Sequence, residues 1–270
     1  MGRQFIWVTI PPNIRAFAIR MVRIVPKFNG NYFEIEFVYD PEIQVPKLDY
    51  NHYLSVDLGL NNYATVVSTK ETAFIIEGKG IKSYNQWWNK EKAQLQSIYD
   101  KQGIKQGSKM TNLNIDRYNT IRNFISHAVN HLITHCLANE IGNLIIGDWG
   151  DLKRSLKMLK KTAQSFQQIP FGPFKLKIQS KCDIYGIKLH LVNESYTSKT
   201  CSSCGIVRGA NRVKRGLYRC NNCALELNAD INGALNILQK VVSKNLFDQF
   251  QWDSGDIISP KRVKLVYFTT

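Results

Sequence analysis

The sequence predicts a mixed α/β domain with a small metal-stapled module inserted late in the chain, and three observations carry that prediction. Apolar runs between turn signals over residues 53–77 read as an antiparallel meander of three strands. After them, long helical patterns alternate with short apolar strands. Four of the six cysteines stand as two CxxC pairs. With 270 residues, 44% apolar and 21% charged, the chain can bury a sizeable core and is too apolar for disorder. No run of about 18 uncharged apolar residues exists, which excludes a membrane-spanning helix. The opening MGRQFIWVTIPPNIR lacks the basic, apolar, small-residue order of a secretory leader.

Each element has its own signal. Phe5–Ile10 and Ala18–Val25 read as strands, and Asn29-Gly30-Asn31 turns the chain into a third, Tyr32–Tyr39. Pro41 and Pro46 bracket a linker. Tyr53–Leu58, Tyr63–Ser68 and Thr72–Glu77 make the meander, with Gly59-Leu60-Asn61-Asn62 as its first turn. Helical patterns run from Ser83 to about Lys105 and from about Leu113 to Glu140, and Leu144–Gly147 is a buried strand. Lys153–Lys161 reads as a basic helix, Phe174–Tyr185 as a helix ended by Gly186, and Lys188–Asn193 as a strand. From Asp230 to Val242, apolar residues at 231, 234, 235, 238, 241 and 242 form a helical stripe, and Val263–Phe268 suggests a last strand. Three antiparallel strands followed by alternating helices and strands is the order of a ribonuclease-H-type domain.

The formal net charge is +15, and the excess is local: residues 151–215 hold 14 Lys/Arg against Asp151, Asp183 and Glu194. Such a clustered positive field favours a polyanionic partner, nucleic acid above all. Cys201-Ser-Ser-Cys204 and Cys220-Asn-Asn-Cys223, fifteen residues apart, can close a tetrahedron of thiolates on one structural Zn²⁺. Arg208, Arg212, Lys214 and Arg215 decorate the intervening ribbon and, with Lys199 before it, suit phosphate contact. Cys136 and Cys182 read as small apolar residues. Asp57 ends the apolar run Leu54–Leu58, where it either binds a cation or opens the turn at Gly59. Asp230 begins a helix, a position that capping alone favours. His127, His131 and His135 repeat every four residues and read as a polar stripe on a packed helix rather than a metal site.

Taken together, Asp57-Leu-Gly, Glu194-Ser-Tyr-Thr-Ser-Lys-Thr-Cys201-Ser-Ser-Cys-Gly205, Cys220-Asn-Asn-Cys223 and Asp230-Ile-Asn-Gly-Ala-Leu-Asn-Ile237 resemble the TnpB (OrfB) family. These are transposon-encoded RNA-guided DNA endonucleases related to type V CRISPR effectors and Fanzors. The resemblance covers about residues 50–240. It implies a RuvC-like nuclease domain of ribonuclease-H fold, in which a carboxylate triad holds two Mg²⁺ ions about 4 Å apart. It implies a guide RNA and target DNA as partners, and a prokaryotic, cytoplasmic, nucleoid-associated location. The implied division is residues 1–48 as the remnant of a β-barrel (wedge) domain and 49–198 as the nuclease domain with a helical insertion about 83–140. The zinc ribbon follows at 199–226, the last nuclease helix at 227–242 and a tail at 243–270. Lys153, Arg154, Lys157, Lys160 and Lys161, with the ribbon cations, are expected to line the nucleic-acid path.

Asp57 matches the first acid of the triad and Asp230 the last. The middle acid usually stands at the end of the strand that here reads Leu144-Ile-Ile-Gly147-Asp148, and Gly147 takes its place. Some family members carry that carboxylate on the next strand, where this chain has Glu194. We favour Glu194 over Asp148 or a dead site, with Asp151 a further substitute. The first 50 residues resemble the last strands of the family's barrel, and the resemblance extends to no helical recognition lobe within this sequence. The expected function is therefore metal-dependent DNA cleavage directed by RNA. A catalytically silent nucleic-acid-binding relative is the alternative, and a strand-transferring transposase a more distant one.

Overall fold

The structure is a computed structural model and describes residues 7–40, 46–105, 107–148, 168, 171–214, 216–252 and 254–266. Strands β1 (Ile19–Lys27) and β2 (Tyr32–Tyr39) pair as an antiparallel hairpin. Then come β3 (Asp49–Leu58), β4 (Asn62–Ser68) and β5 (Ala73–Glu77). Helices α1 (Lys79–Gln102) and α2 (Ser108–Ala138) follow, then β6 (Ile141–Asp148), α3 (Phe171–Tyr185) and β7 (Lys188–Asn193). A cysteine ribbon with β8 (Tyr218–Arg219) and β9 (Glu226–Leu227) leads into α4 (Ala229–Leu238). Two short helices, α5 (Lys244–Phe247) and α6 (Ser254–Ile258), and β10 (Lys261–Val263) close the described chain.

The central sheet has the order β10-β5-β4-β3-β6-β7. β4 is antiparallel to both neighbours, while β6 and β7 run parallel to β3. Side chains alternate across a strand, so β3 sends Leu54, Val56 and Leu58 to one face and Ser55 and Asp57 to the other. The first face packs on α2 and α3 through Phe124, Val129, Leu132, Phe174 and Ile178, all buried. The second face packs on α4 through Ile231, Ala234 and Ile237. There the Ser55 hydroxyl donates to the Ala234 carbonyl at 2.7 Å. Three layers result, with the carboxylate of Asp57 on the α4 side.

The strand meander, both long helices, β6, α3 and β7 all form where the periodicity puts them. The differences lie at ends. Residues 7–10 are not a strand, and α1 starts at Lys79 rather than Ser83. The last strand is Lys261–Val263, parallel to β5, rather than Val263–Phe268. Gly103 and Gly186, both left-handed at φ 68° and 72°, end α1 and α3. The expected basic helix Lys153–Lys161 lies outside the described residues.

The hairpin docks on α2 by its polar face. Glu34 is buried and accepts from the Tyr118 hydroxyl at 2.8 Å, while Arg122 pairs with it and Lys27 stands 3.7 Å away. A buried carboxylate needs such partners. The histidine stripe is structural in part: His131 and His135 pack on Phe74, and His135 Nε2 lies 3.2 Å from the Thr72 hydroxyl.

Candidate metal centres

The three family-matched acids come from separate elements, and Asp57 lies within electrostatic reach of each of the other two. Asp57 stands near the carboxyl end of β3, and Val56 pairs with Ile146 of β6, which puts Asp57 level with Gly147. Next along the sheet, Gly147 pairs with Val192 of β7 and Asp148 with Asn193. Glu194 follows at once, and its carboxylate fills the space over Gly147: a methyl group built there would fall on it. From the other side comes α4, whose Gly233 lies so close to Asp57 that a methyl group would strike the carboxylate. Asp230 sits one turn before Gly233, at the start of that helix.

Asp230 is not the cap of α4. Asn228 is, its side chain accepting from the backbone N–H groups of Asp230 and Ile231 at 2.9 and 3.3 Å. The carboxylate of Asp230 is thereby left to other partners. Asn62 at the start of β4 donates to its Oδ2 at 2.6 Å, and Arg212 of the ribbon donates to Oδ1 at 2.8 Å. Arg262 in turn donates to Asn62 at 3.1 Å.

Burial and mutual repulsion set the charge state. Burial first, then the Asp230 carboxylate, pushes Asp57 up to about 7. Burial, then Asp57, pushes Glu194 up to about 9, with Lys175 opposing. One oxygen of Glu194, Oε1, is buried without any hydrogen-bond partner. Asp57 and Glu194, near each other and resisting ionisation, with one Glu194 oxygen lacking any partner, are what a divalent cation relieves. The donor set, all carboxylate oxygen, suits Mg²⁺. The residues present therefore fit the group.

Asp148 alternates with Gly147 along β6 and pairs with Lys175 of α3, and both act electrostatically on Glu194. Asp151 lies outside the described residues, as do Lys153, Arg154, Lys157, Lys160, Lys161 and Arg215. Lys199, Arg208 and Lys214 are exposed.

The cysteines form the second centre. Cys201, Cys204, Cys220 and Cys223 are, among the described residues, the set of three or more such side chains whose ligand atoms all lie within 4.8 Å of one another. The Cys201–Cys223 and Cys204–Cys220 sulfur pairs are each 3.6 Å apart. A tetrahedron with Zn–S bonds of about 2.3 Å has edges of roughly 3.8 Å, so the four sulfurs fit zinc. The two knuckles repeat one turn: Gly205 N–H bonds the Cys201 carbonyl at 2.9 Å, and Ala224 N–H the Cys220 carbonyl at 3.0 Å. The residue after each second cysteine is left-handed, at φ 75° for Gly205 and 59° for Ala224.

Asn62, Gly233 and Lys175 were not singled out from sequence. Asn62 is one of two asparagines in what reads as a turn, and nothing in its spacing points to Asp230, 168 positions away.

Comparisons with known proteins agree with this geometry. A family model described as "Probable transposase" (OrfB, IS605) matches residues 36–153, and one described as "Cas12f1-like, TNB domain" matches residues 171–237. The CRISPR-associated endodeoxyribonuclease Cas12f1 of Sulfoacidibacillus thermotolerans is 23% identical over 81% of this chain and 53% of its own length. The TnpB-like protein ORF457 of Acidianus two-tailed virus is 27% identical over 74% of this chain and 44% of its own. This chain thus spans about half the length of these curated relatives. A solved Cas12f1–sgRNA–target DNA complex matches at a TM-score of 0.53 and 19% identity, covering 82% of this chain and 64% of that one. That likeness shows the fold alone: the mixed sheet between helices is that of the RuvC-like fold. Two family models matched in adjoining stretches, with TnpB-like and Cas12f relatives beside them, support a TnpB-family protein.

Proposed function

We propose that this chain carries the nuclease centre of an RNA-guided, Mg²⁺-dependent DNA endonuclease. The observation that carries this reading is the placement of the Glu194 carboxylate over Gly147, facing Asp57, in the space a side chain on β6 would otherwise need. Asp57, Glu194 and Asp230 would hold the ions. Bound there, a pair of divalent ions would supply a water of lowered pKa and neutralise charge on the phosphodiester.

The chain's own residues do the rest. Gly147 and Gly233 leave room for two carboxylates to meet between sheet and helix. Asn62 fixes the orientation of Asp230. Arg212 neutralises Asp230 in the metal-free fold, and its planar fork also suits a phosphate oxygen pair. Zinc on the four cysteines would hold the ribbon, and thus Arg212, in register with α4. Lys199, Arg208 and Lys214, exposed around that ribbon, supply backbone contacts, while base pairing with a guide reads the sequence.

The test begins with expression beside the native genomic flanks and sequencing of the RNA that co-purifies. One defined RNA with a constant scaffold and a variable end is expected. Target DNA should then be cut in Mg²⁺ and left intact after Asp57→Ala, with binding nearly unchanged. Equal cutting by that variant would refute the site.

A second reading, occupancy of nucleic acid without cleavage, is favoured by one observation: both oxygens of Asp230 are already engaged by protein groups. Tight guide and target binding with no Mg²⁺-dependent cleavage would select it. Strand-transfer products with transposon-end DNA would instead point to a transposase.

A further inference from the structure

Glu194 is held by a loop rather than by a strand, and the loop's own bonds show how. Its flanking carbonyls, those of Asn193 and Ser195, both accept from the ammonium of Lys240, the second at 3.2 Å. The Glu194 carbonyl accepts from the Thr197 backbone N–H at 3.2 Å and from its hydroxyl at 2.9 Å. The Thr197 carbonyl in turn accepts from the Asn236 side chain at 2.9 Å. Asn236 is buried and reaches Thr200 as well, at 2.8 Å. One turn earlier, Asn232 bonds the Thr200 carbonyl at 2.8 Å and the Ser202 N–H at 3.1 Å.

Asn232, Asn236 and Lys240 thus repeat every four residues along one side of α4 and the turn beyond it, a spacing that stacks side chains on a single helix face. The same helix presents Asp230 at its start. An acid on β6 would be fixed by the sheet ladder itself; an acid just past β7 has no such ladder and needs another frame. We propose that Lys240 is a positioning residue for Glu194, bonding the backbone on both sides of it so that its carboxylate stays over Gly147, with Asn236 holding the next turn of the loop. This rests on the assignment of Glu194 as a metal ligand.

The test uses the full chain with zinc retained. Mn²⁺ binding is measured by calorimetry for the wild type, Lys240→Met, Lys240→Arg, Glu194→Gln and the Lys240→Met/Glu194→Gln double variant. Hydrogen exchange is followed at residues 194–200. Lys240→Met keeps the apolar stem but loses the donors and charge. It is expected to weaken Mn²⁺ binding about tenfold, as loss of a supporting contact around a metal does, with faster exchange confined to that loop. Lys240→Arg should recover most of the affinity. The double variant should bind no worse than Glu194→Gln alone, since the lysine acts through that carboxylate.

Wild-type affinity in Lys240→Met, or losses that add in full in the double variant, would overturn the proposal. If the wild type binds no Mn²⁺, the nuclease reading fails. The exchange data then decide the positioning role alone: loop protection unchanged in Lys240→Met refutes it, and protection lost there but kept in Lys240→Arg upholds it.

Discussion

A carboxylate on β6 that faced Asp57 would have to project from residue 147, and here the room left by Gly147 is filled from β7 by Glu194. Gly147→Ala should therefore push the glutamate aside and weaken divalent-ion binding by about tenfold or more, while the sheet, which needs no side chain there, melts within a few degrees of the wild type. Moving the acid back, as Gly147→Glu with Glu194→Gly, should restore binding in part; a double variant as weak as Glu194→Gly alone would show that the two positions are not equivalent. The same carboxylates set a pH dependence. In the unfolded chain both ionise near the ordinary carboxylate range, but in the fold Asp57 is pushed up to about 7 and Glu194 to about 9, burial being the main cause in each. Between about pH 4 and pH 9 the fold thus binds more protons than the unfolded chain, and metal-free stability falls as pH rises through that window. Melting temperatures in Mg²⁺-free buffer should decline from pH 5 to pH 9, and saturating Mg²⁺ should remove most of the decline. A flat profile without Mg²⁺ would mean that neither burial nor mutual repulsion raises these acids in the fold.

At the scale of elements, β4 contributes to both the site and the core. Asn62 at its start orients Asp230, and Tyr63 beside it turns inward, its ring set among Phe124, Phe171 and Phe174 at centroid distances of 4.7, 5.8 and 5.5 Å. The Tyr63 hydroxyl is buried with no hydrogen-bond partner. Such a group costs about 1–3 kcal/mol of desolvation that nothing returns. Tyr63→Phe should accordingly leave the packing intact and raise stability by about 1 kcal/mol in a urea titration; a loss of that size would reveal a partner for the hydroxyl. α4 combines three roles on one ten-residue helix. Its apolar stripe packs on the sheet, its first turn presents Asp230, and its polar side ties down the segment from Thr197 to Ser202, with Lys240 just beyond it reaching Asn193.

For the whole molecule, the ribbon packs with α4 on one face of the sheet, in a core separate from the one under α2 and α3. Cys201, Tyr218, Cys220 and Leu227 share a core cluster with Ile231, Ala234 and Ile237 of α4 and with Ile145 of β6. A ribbon of two two-residue strands cannot hold itself together, so a structural zinc would supply its folding energy, on the order of 10 kcal/mol in small zinc modules. Cys201→Ser or zinc removal by a chelator should unfold residues 199–227 and free Arg212 from Asp230. The sheet packed on α2 and α3 should survive, retaining far-ultraviolet helix signal. Simultaneous loss of the whole fold would show that the two cores do not separate. The chain's two candidate metal centres are thereby linked, since the ribbon's Arg212 contacts an acid of the other.

Local patterning was enough to determine the strand meander, the long helices and the cysteine knuckles, because period-two and helical spacing and CxxC turns are short-range properties of a chain; the family came only from the resemblance of the motif strings. That resemblance also named the three acids and left Glu194 and Asp148 competing. Tertiary structure supplies the distinction we propose between them: pairing of β6 with β7 brings Glu194 over Gly147, while Asp148 pairs with Lys175. The cap of α4 by Asn228, the grip of Asn62 and Arg212 on Asp230, and the hold of Lys240 on the Glu194 loop all join residues between 2 and 168 positions apart. No periodicity encodes the longer of these, because they arise only when packing the sheet against the helix brings distant polar groups into one buried space.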